Sequence, residues 1–173
     1  MKSIVLLSGP VGAGKTTVAH ELVALSPAPV ACIEGDKFWF FIAKGDKKQG
    51  RNRQFKMIMT AMTASSLPYA VAGHETILDF SIPPWFLDTA RTIARVRDVP
   101  LDYVVLRPSE KICAARAAAR AEGTIADYSG YHELYESFEI AQRHLIEDDA
   151  GDAKAVAARI RKGLDAATFR LEA

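Results

Sequence analysis

Cysteine is scarce in this chain: Cys32 and Cys113 are its only two. They lie far apart in apolar contexts with no metal-ligand spacing. This excludes a disulfide framework and a cysteine zinc site. Both are expected as buried thiols in a reducing cytoplasm. Excess charge is also missing, with 22 Lys+Arg against 21 Asp+Glu and a net charge of +1. Such a chain has no global field to hold a polyanion, which argues against a dedicated nucleic-acid binder. No apolar run approaches the roughly 18 residues of a membrane span. The stretch Ile4–Leu7 after Met1-Lys2-Ser3 is too short for a signal peptide and runs into glycine and Lys15. Repeats, low-complexity tracts and linkers are absent. At 173 residues a single domain over 1–173 is expected, large enough to bury a core without staples.

What is present is an alternation of short apolar runs and longer helical patterns. Ile4–Leu7, Val30–Ile33, Thr76–Phe80, Asp102–Leu106 and His144–Ile146 read as five strands. Helical patterns cover 15–25, with Val18, Leu22 and Leu25 on one face, and about 37–43, with Asp36 able to cap. A longer one starts near Arg53 with Asn52 as cap and Phe55, Ile58, Met59 and Met62 on its apolar side. Others run from Pro83-Pro84 to about Arg97, from Pro108 to about Glu122, over 131–141 and over 152–168. Strands separated by helices imply parallel pairing through right-handed crossovers. Continuous apolar strands imply a sheet covered on both faces. The expectation is a three-layer α/β/α fold around a five-stranded parallel sheet. Residues 107–141, without a strand, form a lid-like helical insertion.

One motif carries chemistry. Gly9-Pro10-Val11-Gly12-Ala13-Gly14-Lys15-Thr16 fits G-x-x-x-x-G-K-[ST] at every fixed position. Typical Gly and Lys frequencies of about 6–7% make a chance match in such a chain well under one in about a hundred. The motif also follows an apolar strand and opens a helix, as its mechanism requires. The loop must wrap a phosphate closely, so side chains at Gly9, Gly12 or Gly14 would obstruct it. Backbone N–H groups of Gly12, Ala13, Gly14 and the Thr16-Thr17 turn then face the anion. Lys15 places a positive charge between the outer phosphates, and the Thr16 hydroxyl can ligate Mg²⁺.

On these residues the sequence resembles the small P-loop kinases of the nucleoside-monophosphate-kinase-like superfamily. The shikimate kinase, gluconate kinase and chloramphenicol phosphotransferase branches, with their AAA-type ATP-binding domain, are the similar ones. The resemblance spans nearly the whole chain as an order of elements and is specific at the loop. It implies the P-loop NTPase fold, ATP and Mg²⁺ as cofactors, and a hydroxyl acceptor. Asp36 follows the second strand, as does an acidic residue in these kinases that contacts the acceptor hydroxyl or the metal shell. Independently, a carboxylate at that strand edge faces the cleft where ligands collect and can accept a hydroxyl proton. A plain helix cap is the other reading, and Glu34 competes for the same role. Asp79 resembles a Walker-B position, where a carboxylate orients Mg²⁺ or its waters.

Arg116 and Arg120, spaced i, i+4, would share a helix face. By resemblance, one lid arginine stacks on adenine and another neutralises transferring oxygens; a solvated face is the alternative. Arg107 is a third candidate. No zinc-bearing lid is expected. The loop Asp148–Ala153 would pass beside the adenine through its backbone. The segment Ser81-Ile82-Pro83-Pro84-Trp85 departs from the DxxG of GTPases and no NKxD occurs, which disfavours a regulatory GTPase.

The acceptor pocket is expected between the second strand, residues 37–70 and the segment after Asp79. Phe38, Trp39, Phe40, Phe41, Trp85 and Phe86 supply aromatic surface there, although most of them can equally be core. Lys44, Lys47, Lys48, Arg51 and Arg53 form a basic stretch that either binds an anionic acceptor or is a solvated loop. His20, His74, His132 and His144 show no triad or metal pattern. The first reading is thus a phosphotransferase moving the γ-phosphoryl group of ATP to a small-molecule hydroxyl, as a monomer or homodimer without nucleic-acid or membrane partners. Lys15, Asp36, Arg116 and Arg120 would be its catalytic set, and Thr16 with Asp79 its metal ligands. The alternatives are a nucleotide (monophosphate) kinase, a non-catalytic ATP-binding or slow ATPase module, and a zeta-toxin-like kinase.

Overall fold

The computed structural model describes residues 2–45, 50–121, 123–138 and 142–172. Lys47, Lys48 and Glu122 and the end of the 131–141 segment therefore lie outside the described residues. Five strands form one sheet: β1 (Ile4–Ser8), β2 (Val30–Glu34), β3 (Glu75–Asp79), β4 (Leu101–Leu106) and β5 (Leu145–Ile146). Their spatial order is β2-β3-β1-β4-β5. All four pairings are parallel. β1, β3 and β4 are buried at every position, which explains their apolar middles; the polar residues among them, Ser8, Glu75, Thr76, Asp79 and Asp102, are buried as well.

The helices are α1 (Lys15–Leu25), α2 (Arg51–Val71), α3 (Leu87–Arg95), α4 (Glu110–Ala118), α5 (His132–Glu136) and α6 (Ala153–Asp165). α1 packs on α6 and α2 on α3, so the sheet is the middle of three layers. Alternation along β1 divides the core: Ile4 and Leu6 meet Met59, Met62, Phe86 and Ala90 on the α2–α3 side. Val5 and Leu7 meet Val18, Leu22, Val156 and Ile160 on the α1–α6 side. The chain end returns to the sheet, where Phe169 and Leu171 exchange backbone bonds with Tyr103 and Leu101 at 2.9 Å each.

Several sequence expectations are corrected. Residues Gly35–Phe41 form a 3₁₀ turn, not a helix over 37–43. Asp36 sits inside its first turn, and Glu34 flanks it without a side-chain cap bond. The capping reading of Asp36 is thereby removed. Asn52 does not cap α2, because the helix already begins at Arg51 behind Gly50. Leu25 ends α1 exposed. Cys32 is exposed while Cys113 is buried: β2 is the sheet's edge, so its apolar letters do not guarantee burial on both faces. The segment after Pro108 is helical only to Ala118, which leaves Arg120 beyond the end of α4 rather than on one helical face with Arg116. Around 131–138 a 3₁₀ turn, Ser129–Tyr131, leads into the short α5. No described helix is long and apolar enough to cross a membrane.

Candidate active site

Strand β1 ends at Ser8 and α1 begins at Lys15, so the loop Gly9–Gly14 crosses the C-terminal edge of the central strand. Neighbouring connections there leave in opposite directions, the place where open α/β sheets bind ligands. The glycines are required by space as well as by dihedral angle. Gly9 has φ 138° and Gly12 φ 82°. A Cβ on Gly9 would run into the Leu106 carbonyl, and one on Gly12 into the Cys113 carbonyl. Gly14, at φ 90°, precedes α1 and supplies no side-chain cap. The first-turn N–H groups of α1 therefore lack the usual side-chain acceptor and are left for an anion.

Three acceptors surround the Lys15 ammonium: the Gly9 carbonyl at 3.0 Å, the Pro10 carbonyl at 2.9 Å and Ser81 Oγ at 3.1 Å. Burial lowers the Lys15 pKa to about 8, against the opposing pull of the Asp79 and Asp36 carboxylates; Arg120 lowers it further. Next to it, the Thr16 hydroxyl donates to Asp79 Oδ2 at 2.6 Å. Burial pushes the Asp79 carboxyl up, while the Thr16 hydroxyl and Lys15 pull it down and Asp36 and Glu34 push it up. Asp36 itself is exposed beyond β2. Its field reaches both Lys15 and Asp79, whereas direct hydrogen bonds join Lys15 to Ser81 and Thr16 to Asp79.

Glu34 gains a place that reading along the chain did not give it. It is in register with Asp79 on the neighbouring strand, so both carboxylates leave the same face of the sheet. It also pairs with Lys37 at 2.9 Å. A hydroxyl and one or two carboxylates fit a hard divalent cation such as Mg²⁺, which keeps most of its waters and takes its remaining ligands from phosphate. Among the described residues no group of three or more His, Cys, Asp or Glu side chains forms a cage. That is the donor set of a shared cation, not of a fully protein-enclosed one.

On the other side of the loop lies a cavity of about 150 Å³ lined by Ala13, Gly14, Thr17, Arg116, Asp148 and Gly151 among others. The Arg116 guanidinium reaches across its mouth: a Cβ on Gly14 would stand 3.7 Å from one of its nitrogens and a Cβ on Gly151 2.9 Å from the other. Apolar walls with one planar cation suit a flat heterocycle. The segment after α4 is fastened to the loop, since the Tyr128 hydroxyl donates to the Val11 carbonyl at 2.7 Å. Arg107 lies over the Tyr135 ring at 4.4 Å and pairs with Glu136 at 3.9 Å. It thus braces α5.

The aromatic residues after β2 and β3 divide. Phe86 is buried and Phe38 and Trp39 pack on the core, whereas Phe40, Phe41 and Trp85 are exposed. In the sequence Ser81 stands out only as part of the departure from the DxxG motif. Its contact with Lys15 bridges 66 positions, and no local pattern announces it.

Residues 4–130 match the family model AAA_33, described as an AAA domain. No curated protein matches the sequence significantly. Among solved structures, a sugar kinase from Janibacter sp. HTCC2649 is similar with a TM-score of 0.70 at 20% identity, covering 97% of each chain. The Deinococcus radiodurans tunicamycin resistance protein is similar with a TM-score of 0.71 at 17% identity over 100% of both chains. The Mycobacterium tuberculosis APS kinase, solved with AMPPNP and APS, gives a TM-score of 0.74 at 16% identity, covering 95% of this chain and 98% of that one. At such identities the likeness is one of fold, and it joins the glycine loop and the all-parallel sheet to a family match over most of the chain. The chain belongs to the AAA_33 family of AAA domains and has the α/β P-loop fold that small P-loop kinases share.

Proposed function

We propose that this chain is a phosphotransferase that uses ATP and Mg²⁺ to move the γ-phosphoryl group to a hydroxyl of a small molecule. One arrangement carries the reading: the Lys15 ammonium lies over a glycine turn, with the Thr16–Asp79 contact of 2.6 Å beside it and Asp36 within electrostatic reach. Kinase names among the structures of similar fold, one of them bound to AMPPNP, support it.

In this reading the loop amides and Lys15 bind the outer phosphates, and Arg116 covers the base. Thr16 and Asp79, with Glu34 through water, would hold the cation, which when bound neutralises charge on the β- and γ-phosphates. Asp36 orients the acceptor hydroxyl and takes its proton. A bond forms from the acceptor oxygen to the γ-phosphorus, and the bond from that phosphorus to the β,γ-bridging oxygen breaks. The field of Arg120 adds positive charge near Lys15. Catalysis is then positioning and charge neutralisation, and the lid segment excludes water.

The test is transfer from Mg·ATP to pooled hydroxyl compounds and, separately, to nucleoside monophosphates, followed by phosphorus NMR and intact mass. Lys15→Ala is expected to cost about a thousandfold in turnover, of the size seen when one donor to a developing charge is removed, with circular dichroism unchanged. Asp36→Asn is expected to spare ATP binding and depress transfer. Near-normal turnover in Lys15→Ala overturns the reading. Product from nucleoside monophosphates alone moves the acceptor to a phosphate, and tight ATP binding without any product makes the chain a binding module.

A further inference from the structure

The Lys15 ammonium has three N–H groups, and all three have protein acceptors within 3.1 Å. Two of these, the Gly9 and Pro10 carbonyls, belong to the phosphate loop itself. The third is Ser81 Oγ, which comes from the connection after β3. The Ser81 hydroxyl also donates to the Gly9 carbonyl at 2.8 Å. Lysine, serine and the first carbonyl of the loop therefore close a ring of three hydrogen bonds.

The backbone that carries Ser81 is fixed independently. Ser8 Oγ donates to the Ile82 carbonyl at 2.8 Å and accepts from Ile82 N–H at 2.7 Å. The Tyr103 hydroxyl donates to the same carbonyl at 2.7 Å. Ser8, Ile82 and Tyr103 are fully buried, so this anchor is rigid and shielded from water. A hydrogen bond to a charged group in such a setting is stronger than a neutral one.

We propose that Ser81 is a positioning residue, whose hydroxyl holds the Lys15 ammonium against the Gly9 carbonyl and so fixes where that charge meets a bound polyphosphate. The proposal rests on the phosphate-binding reading of the loop. Among the described residues Ser81 is the hydrogen-bond acceptor that reaches the ammonium from outside the loop. Without the hydroxyl the remaining hydrogen-bond acceptors of the lysine are carbonyls of its own loop, and its four-carbon stem regains rotamers that phosphate binding must then remove. A threonine keeps the oxygen, and an alanine loses it with little change in volume.

The test is a double-mutant cycle on Mg·AMPPNP affinity, measured by calorimetry, using Ser81→Ala, Lys15→Met and the double variant, with Ser81→Thr as rescue. Ser81→Ala is expected to weaken binding about tenfold, the scale of one lost hydrogen bond to a charged group. It is expected to change nothing further in the Lys15→Met background, and Ser81→Thr is expected to restore most of the loss. If Ser81→Ala does not fold, Ser81→Cys, with a weakly accepting sulfur of similar size, is expected to give the same loss and the same non-additivity. Binding in Ser81→Ala equal to the unaltered chain overturns the proposal. So does an equal loss in both backgrounds, which marks a merely structural effect. Absence of Mg·AMPPNP binding by the unaltered chain overturns the phosphate-binding reading itself, an outcome distinct from either of these.

Discussion

The Lys15 pKa is lowered to about 8, first by burial, against the opposing pull of Asp79 and Asp36. A bound polyphosphate favours the charged amine and raises that pKa, so binding takes up a proton when the free lysine is neutral. The sign follows: affinity is full below pH 8 and declines as pH rises through that value, by up to about tenfold per unit. Calorimetric titration of Mg·AMPPNP is therefore expected to give nearly constant affinity from pH 6.5 to 7.5 and clearly weaker binding at pH 9. Proton uptake should show as a dependence of the heat on the buffer near pH 8. Affinity independent of pH across this span would contradict a charge-bearing role for Lys15. Among the residues, the loop was legible because phosphate contact demands particular letters in one contiguous stretch. The pairing of Glu34 with Asp79 and the reach of Ser81 to Lys15 were not, since register across strands and a contact over 66 positions leave no local mark.

At the level of elements, α1 and the strands were legible nearly to the residue, whereas the turns after β2 and β4 were not. Gly35–Phe41 winds as 3₁₀, and Gly35 at its start is pressed so close to the Phe80 ring that an added Cβ would lie 2.5 Å from it. No sequence period encodes that proximity. Helices α4 and α5 hold each other through His132 Nδ1 and Glu110 Oε1 at 2.9 Å. The Glu110 hydrogen bond and charge raise the His132 pKa. A raised folded-state pKa means that the pair contributes fully below the unfolded value of about 6.5 and is lost as pH rises through the folded one. Amide exchange in residues 132–136, corrected for intrinsic rates, is expected to accelerate as pH rises above about 6.5. The same correction in Glu110→Gln is expected to give a flat profile. A flat profile in the unaltered chain would remove the pair as a strap between the two helices.

Across the whole molecule, one buried ion pair ties the layers together. Arg161 on α6 donates to both oxygens of Glu75 at the start of β3, at 2.6 and 3.0 Å. Ser26, just past α1, donates to the same carboxylate at 3.0 Å. Arg161→Met leaves that carboxylate buried without its cation, which is expected to cost about 3 kcal/mol. Thermal unfolding should show a midpoint lower by roughly 6–12 °C, and an unchanged midpoint would show that the pair is replaceable. The sequence by itself determined the phosphate loop, the alternation of strands and helices and the buried strands. It could do so because each is written in neighbouring residues by local sterics and by apolar period. Only the tertiary structure decided the strand order β2-β3-β1-β4-β5, the exposure of Cys32, the departure of Arg120 from the Arg116 face, and the meeting of Asp36, Asp79, Ser81 and Lys15. Those depend on which segments pack side by side, and packing between distant segments is set by the free energy of the whole core, not by any single stretch of it.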